Sequence, residues 1–420
     1  MIEFTRRNVI AGLTALSAPP LLGMGRARAR VVVIGGGFGG ATAARYLRRL
    51  YSALRVTLIE PKTSYWACPL SNLVIGGLRD MAQQRFDYGE MQEAGVSVIQ
   101  DFAADIDPIK KTVMTQDGSL IDYDYLIMSP GIDMRWGAVE GYDEAAAETM
   151  PHAWQAGRQT DLLARQLRAM DDGGTVMISV PDSPYRCPPG PYERASVIAH
   201  YLKTQKPKSK LIILDAKESF SKQDLFQEGW AEHYRDIIEW RGRSDDGRVI
   251  GVNPDSGELR TDFETHLPDV ANIIAPQKAG EIAARAGLTD ASGWCPINGI
   301  NFESRQQNDI YVIGDAAIAN PMPKSAFSAA LQGKLAAIQI VRAVAGLPPQ
   351  SSVLTNTCYS YVTPNSAVSI TGVYDNKTGQ LSAVAGAGGT TPLGASADAR
   401  KYESEQALTW FNNAAKEAFG

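Results

Sequence analysis

Four cysteines, Cys68, Cys187, Cys295 and Cys358, are the side chains of this 420-residue sequence most able to form and break covalent bonds. Four thiols allow three fully paired connectivities, and the sequence alone does not choose among them. So few cannot make a stabilising disulfide framework in a chain this long. Pairing or modification among them therefore points to chemistry. Cys68 stands in Ser64-Tyr65-Trp66-Ala67-Cys68-Pro69-Leu70-Ser71-Asn72, and Cys187 in Arg186-Cys187-Pro188-Pro189-Gly190-Pro191-Tyr192-Glu193. Cys358 stands in Asn356-Thr357-Cys358-Tyr359-Ser360. Cys295, in Gly293-Trp294-Cys295-Pro296, reads as a core thiol, since free cysteine behaves as a small buried hydrophobe.

A second group of residues speaks of phosphate. Gly35, Gly37 and Gly40 have the G-x-G-x-x-G spacing and follow the β-branched run Arg30-Val31-Val32-Val33-Ile34. A helical pattern follows over 41–50, then a second apolar run over 56–59 that ends at Glu60. Strand, glycine turn, helix, strand and acid form a dinucleotide-binding βαβ unit. Gly35 permits the tight turn, Gly37 lets the backbone approach a pyrophosphate, and Gly40 lets helix lie on strand. The helix N-terminus offers free N–H groups to the phosphates. Glu60 is placed to accept from a ribose hydroxyl.

The elements that must position these groups can be followed along the chain. Residues 123–131 read as a strand entering a tight turn, and 309–315 as a strand ending in Gly314-Asp315. An amphipathic helix is expected over 326–344. Between them lies a second βαβ pattern: strand 175–180, helix 192–203, strand 210–215. Its first turn, residues 181–193, is proline-rich with a single glycine. Proline removes N–H donors, so that turn is a poor cradle for a nicotinamide dinucleotide, and NAD(P)H is not the expected electron donor. From Pro348 on the texture changes to short strand-like runs, a glycine-rich loop over 386–394 and a polar closing helix. The expected fold is α/β, with two Rossmann-like dinucleotide-binding domains, the second inserted in the first, and a small C-terminal α+β domain. The boundaries are 30–142 with 275–347, 143–274, and 348–420.

The first 29 residues read as an address. Arg6-Arg7 precede an uncharged stretch over 9–25, and Ala27-Arg28-Ala29 offers small residues at a cleavage spacing. This is the pattern of a twin-arginine export signal, which implies a periplasmic protein. No other segment approaches ~18 uninterrupted apolar residues, so no membrane span is expected. The net charge of −5 argues against nucleic acid as a partner. No metal site is expected, and no C-x-x-C-H haem motif occurs.

The Gly314-Asp315 strand end is similar to that of two-domain flavoprotein disulfide reductases. On that likeness Asp315 contacts the ribityl chain of FAD and Gly314 permits the close approach. The three cysteine motifs, with Ala319-Asn320-Pro321-Met322-Pro323-Lys324-Ser325 and the Trp410 region, resemble the flavoprotein subunit of flavocytochrome c sulfide dehydrogenase over essentially all of residues 30–420. The resemblance implies that Cys68 carries FAD through an 8α thioether. It implies that Cys187 and Cys358 form a redox-active disulfide beside the flavin, so that sulfide is oxidised there and electrons pass to a separate c-type cytochrome subunit. Glu193 resembles a carboxylate that moves protons near the disulfide, although a helix N-terminus favours an acid there in any case. Trp410 resembles an aromatic close to the flavin, with plain packing the alternative. Rival readings are a sulfide:quinone oxidoreductase, an accessory flavoprotein of a thiosulfate-oxidising system, and a non-catalytic flavin-binding subunit.

Overall fold

The run Arg30–Ile34 is the central strand of a five-stranded parallel sheet, ordered Ile310–Val312, Tyr125–Met128, Arg30–Ile34, Arg55–Ile59, Ser97–Ile99. Val31, Val33, Leu58, Leu126, Ile127 and Val312 are fully buried in it. A parallel sheet buried on both faces accounts for such unbroken apolar runs. The computed structural model describes residues 29–420, and the export signal expected over 1–29 lies almost wholly outside them.

The first helix is Phe38–Leu50, three residues longer at its start than the sequence pattern suggests. Gly39 and Gly40 argue against helix by propensity. They are tolerated because the helix must come very close to its neighbours. A Cβ on Gly40 would meet Gly35 O at 1.9 Å. The helix Ala326–Val344, begun by Ser325 accepting from the Ser328 N–H, crosses it so tightly that a Cβ on Gly333 would lie 2.4 Å from Gly39 O.

A second parallel sheet runs Ile238–Arg241, Lys210–Asp215, Thr175–Val180, Val270–Ile273. Its crossover helix is Gly190–Gln205, two residues longer at each end than expected. Pro191 sits in the first turn, where its missing N–H has no intrahelical partner to lose. The C-terminal part is an antiparallel hairpin, Val353–Thr363 with Ser366–Asp375, covered by the helix Ala397–Ala418. The glycine-rich loop contributes a short strand, Gly389–Thr390, to that hairpin. The chain is thus an α/β protein with two Rossmann-like sheets and a smaller α+β unit. Among the described residues no helix is long and apolar enough to cross a membrane.

Candidate active site

One cavity gathers nearly every residue singled out above. Its walls include Gly35, Gly37, Glu60, Cys68, Gly314 and Asp315 from the first sheet's loops, Cys187 and Glu193 from the second unit, and Cys358 and Trp410 from the C-terminal part. Gly40 is not on the wall; its work is packing. Cys295 is fully buried elsewhere, in the short strand Cys295–Pro296, as a core thiol should be.

The dinucleotide end is built as the sequence suggests, with one addition. Gly35 has φ +95°, and a Cβ there would meet Ser129 O at 2.3 Å. The N-terminus of Phe38–Leu50 has no side-chain cap, leaving its first N–H groups to a ligand. Glu60 accepts from the Gly36 N–H (2.8 Å) and the Lys62 N–H (3.0 Å), so it also ties the glycine turn to the second strand. Asp315 is deeply buried, its side chain 13% exposed, and 3.8 Å from Arg186. Its Oδ1 has no hydrogen-bond partner among the described residues. Burial raises its pKa against the pull of Arg186 and Lys324. A buried acceptor left unpaired costs about 1–3 kcal/mol, and a ribityl hydroxyl donating to it would remove that cost. The cradle and this orphaned oxygen fit FAD.

The second turn serves a different purpose. Cys187 has φ +56°, a left-handed conformation uncommon outside glycine. Its N–H donates to Lys324 O (2.8 Å) and its carbonyl accepts from the Gly190 N–H (2.8 Å). A Cβ on Gly190 would lie 3.0 Å from Cys187 Sγ and 2.8 Å from Trp154, so the glycine makes room for the thiol. The carboxylate that ends the second strand of a nucleotide-binding βαβ unit is here Asp215, fully buried and bonded by Tyr192 Oη (2.6 Å), Trp240 Nε1 (3.1 Å), and Lys217. Protein side chains therefore occupy the acid a nicotinamide ribose would need, which supports the expectation that NAD(P)H is not the donor.

All four cysteines are free thiols in this structure. Cys187 and Cys358 face the same cavity, and burial pushes both thiols up, with the charge of Cys358 next in its effect on Cys187. Asn356 Nδ2 lies 3.3 Å from Cys358 Sγ. Cys68 Sγ is 3.9 Å from the Trp154 carbonyl. Glu193 is buried on the helix Gly190–Gln205 and accepts from Asn72 Nδ2 (2.7 Å) and the Tyr361 N–H (2.9 Å), and burial raises its pKa. Trp410 stacks on Phe327, with ring centroids 5.5 Å apart and planes inclined by 14°.

Three polar residues at the site escaped the sequence reading. Arg194 is almost wholly buried and donates to Asn72 Oδ1, Asn272 Oδ1, and the carbonyls of His152 and Ala153. Lys222 reaches the strand that carries Cys358. Asn72 joins Glu193 and Arg194. The one available signal was the pair Glu193-Arg194, two adjacent charges opening a stretch that is otherwise largely apolar.

Comparison with known proteins places this geometry. Residues 160–275 match the central part of the sulfide dehydrogenase (flavocytochrome c) flavoprotein chain, and 350–419 the flavin-binding part of flavocytochrome c sulphide dehydrogenase. Residues 29–166 match the pyridine nucleotide-disulphide oxidoreductases. A flavoprotein chain of flavocytochrome c sulfide dehydrogenase from Chlorobaculum thiosulfatiphilum is 62% identical over 45 residues, 11% of this chain and 94% of that one. The chain belongs to the flavocytochrome c sulfide dehydrogenase flavoprotein family. Members of this family are FAD-dependent oxidoreductases of sulfide, and the cradle above suits that cofactor. The family's fold is shared more widely. Mitochondrial sulfide:quinone oxidoreductase of Mus musculus is 26% identical over 313 residues, covering 72% of this chain and 68% of that one. The sulfide:quinone oxidoreductase structure from Aquifex aeolicus superposes with a TM-score of 0.74 at 20% identity, over 93% of this chain and 92% of that one, which shows a common fold.

Proposed function

We propose that this chain is the flavoprotein subunit of an exported sulfide dehydrogenase that oxidises sulfide at a Cys187–Cys358 disulfide and passes the electrons to a c-type cytochrome subunit in the periplasm. The observation that carries the reading is a single cavity lined both by a dinucleotide cradle and by Cys68, Cys187 and Cys358. In the oxidised pair, hydrosulfide attacks one sulfur. The S–S bond breaks, the sulfane sulfur stays on the attacked cysteine as a persulfide, and the other cysteine leaves as a thiolate. Glu193, buried with a raised pKa beside the pair, holds or releases a proton there. Cys68 attaches the flavin covalently, Asp315 receives a ribityl hydroxyl, Glu60 a ribose hydroxyl, and Trp410 screens the site. Bound FAD supplies two-electron uptake and one-electron release.

The acceptor is argued from the last helix. Its outward face carries Lys401, Glu405, Thr409, Asn412, Asn413 and Lys416, all exposed. Its apolar residues Ala407, Phe411, Ala414 and Ala418 are buried, while Leu408 and Tyr402 are exposed among the polar side chains. A membrane-quinone enzyme would need a continuous apolar surface turned outward; a face on which Leu408 and Tyr402 stand singly among charged and amide side chains suits a soluble protein acceptor.

Anaerobic titration of the purified protein with sulfide tests the proposal. Flavin absorbance should bleach, and recover on adding a c-type cytochrome but not decylubiquinone. Cys187→Ser and Cys358→Ser should each abolish the bleaching. Wild-type bleaching in either variant would end the disulfide mechanism, and recovery only with the quinone would end the cytochrome assignment.

A further inference from the structure

Lys222 is a buried cation with no part in the scheme above. It lies at the start of the helix Gln223–His233 in a left-handed conformation, φ +63°, and is 8% exposed. Its ammonium donates to Cys358 O (3.0 Å), Ser360 Oγ (2.8 Å) and Val368 O (3.2 Å), all on the hairpin that carries Cys358. The titratable groups that face it are Cys358, Glu193 and Cys187 around the cavity and Glu403 from the last helix. Burial lowers its pKa to about 8, and these groups pull the other way.

Cys358 and Cys187 are not equivalent in this surrounding. Asn356 Oδ1 accepts from Ser325 Oγ (2.6 Å) and Ser328 Oγ (3.1 Å), which turns its Nδ2 toward Cys358 Sγ. Ser325 opens the 19-residue helix Ala326–Val344, so the positive end of that helix lies at the same corner. After burial, the strongest influences on Cys358 are Lys222, Asn356 and Ser325, which favour its thiolate. After burial, the strongest on Cys187 are Cys358 and Glu193, which disfavour it.

We infer that Lys222 is a positioning residue that, with Asn356, makes Cys358 the sulfur released as thiolate, so that hydrosulfide attacks Cys187 and the sulfane sulfur is left there. This rests on the disulfide reading above. In the step, HS⁻ donates an electron pair to Cys187 Sγ, the Cys187–Cys358 bond breaks, and that bond pair leaves on Cys358; the products are a Cys187 persulfide and a Cys358 thiolate. The sulfur whose thiolate is better stabilised leaves faster.

Two measurements on the full-length holoenzyme test this. Substoichiometric sulfide is added anaerobically to the oxidised protein, the reaction is quenched in acid with alkylation, and the sulfane sulfur is located by peptide mass spectrometry. It should be on the Cys187 peptide in about tenfold excess. Persulfide mainly on Cys358 overturns this inference alone, whereas persulfide on neither cysteine overturns the disulfide reading as well. In the reduced protein, the pH profile for alkylation of Cys358 should move up by about one unit in Lys222→Met and stay near wild type in Lys222→Arg. A folded Lys222→Met with an unmoved Cys358 profile also overturns it. If that variant fails to fold, the wild-type persulfide map still decides.

Discussion

Cys68 Sγ sits 3.9 Å from the Trp154 carbonyl on the wall of the cavity that the glycine turn and Cys187 also line. Although Ala67, Leu70 and Trp154 beside it belong to the core, Cys68 itself is only partly buried and lines the cavity, where a bound ring could reach it. If the thioether is formed there, Cys68→Ser changes attachment but little else, because Glu60, Asp315 and the first helix's N-terminus still bind the dinucleotide. The variant should therefore purify yellow and release its flavin into the supernatant on acid precipitation, while the wild-type flavin stays in the pellet. Flavin retained in the variant's pellet would remove Cys68 from this role. Asp315 makes the complementary case. Its buried, unpaired Oδ1 is tolerable only with a donor supplied from the cavity.

The cradle depends on two helices that nearly touch. A Cβ on Gly333 would sit 2.4 Å from Gly39 O, a backbone atom that no rotamer change can move away. Gly333→Ala should push Ala326–Val344 off Phe38–Leu50, cost about 1–3 kcal/mol as overpacking does, and reduce flavin content. Gly389→Ala, where nothing lies within 4 Å, is the matched control. Thermal unfolding and the flavin-to-protein absorbance ratio check both; a Gly333→Ala protein with control-like values would mean the crossing has room for a methyl group. This contact also explains what the sequence withheld. The strands 175–180 and 210–215 and the helix 326–344 are legible because their signals are local: β-branched runs, apolar spacing, a serine cap. The start of the first helix is misread because Gly39 and Gly40 lower helix propensity, and only their packing makes the small size necessary: Ser129 and the Ala329 carbonyl at Gly39, the Gly35 carbonyl at Gly40. At the site, cysteines and the glycine turn are legible because residue type alone announces the chemistry. Asn72 and Lys222 are not, since their meaning comes from partners 121 and 138 residues away.

At the scale of the whole molecule, the second sheet, its crossover helix and the cavity wall are stitched together by the segment 151–154. Arg194 Nη1 donates to His152 O and Nη2 to Ala153 O, while Asn272 Nδ2 donates to Pro151 O and His152 O. His152 Nδ1 accepts from the Trp154 N–H (2.9 Å), and Trp154 lines the cavity beneath Arg194, whose guanidinium lies 4.9 Å from the ring centroid. His152 is 4% exposed, and burial, followed by the charge of Arg194, lowers its pKa from 6.5 to about 3. The folded protein thus keeps a neutral imidazole through a range in which the unfolded chain takes up a proton. Stability from this residue is complete above pH 6.5 and is lost as pH falls toward 3, with a limiting slope of about 1.4 kcal/mol per pH unit. Asn at this position keeps an acceptor for the Trp154 N–H but cannot be protonated. His152→Asn should therefore show a shallower fall in denaturant-derived stability between pH 6.5 and 4 than wild type, by about 1 kcal/mol per unit. Because the segment joins the second sheet to the cavity wall, the acid transition of the wild type should release its tertiary structure, seen by near-UV circular dichroism, together with the environment of the flavin. Parallel pH slopes in the two proteins would show that this seam is not what gives way in acid.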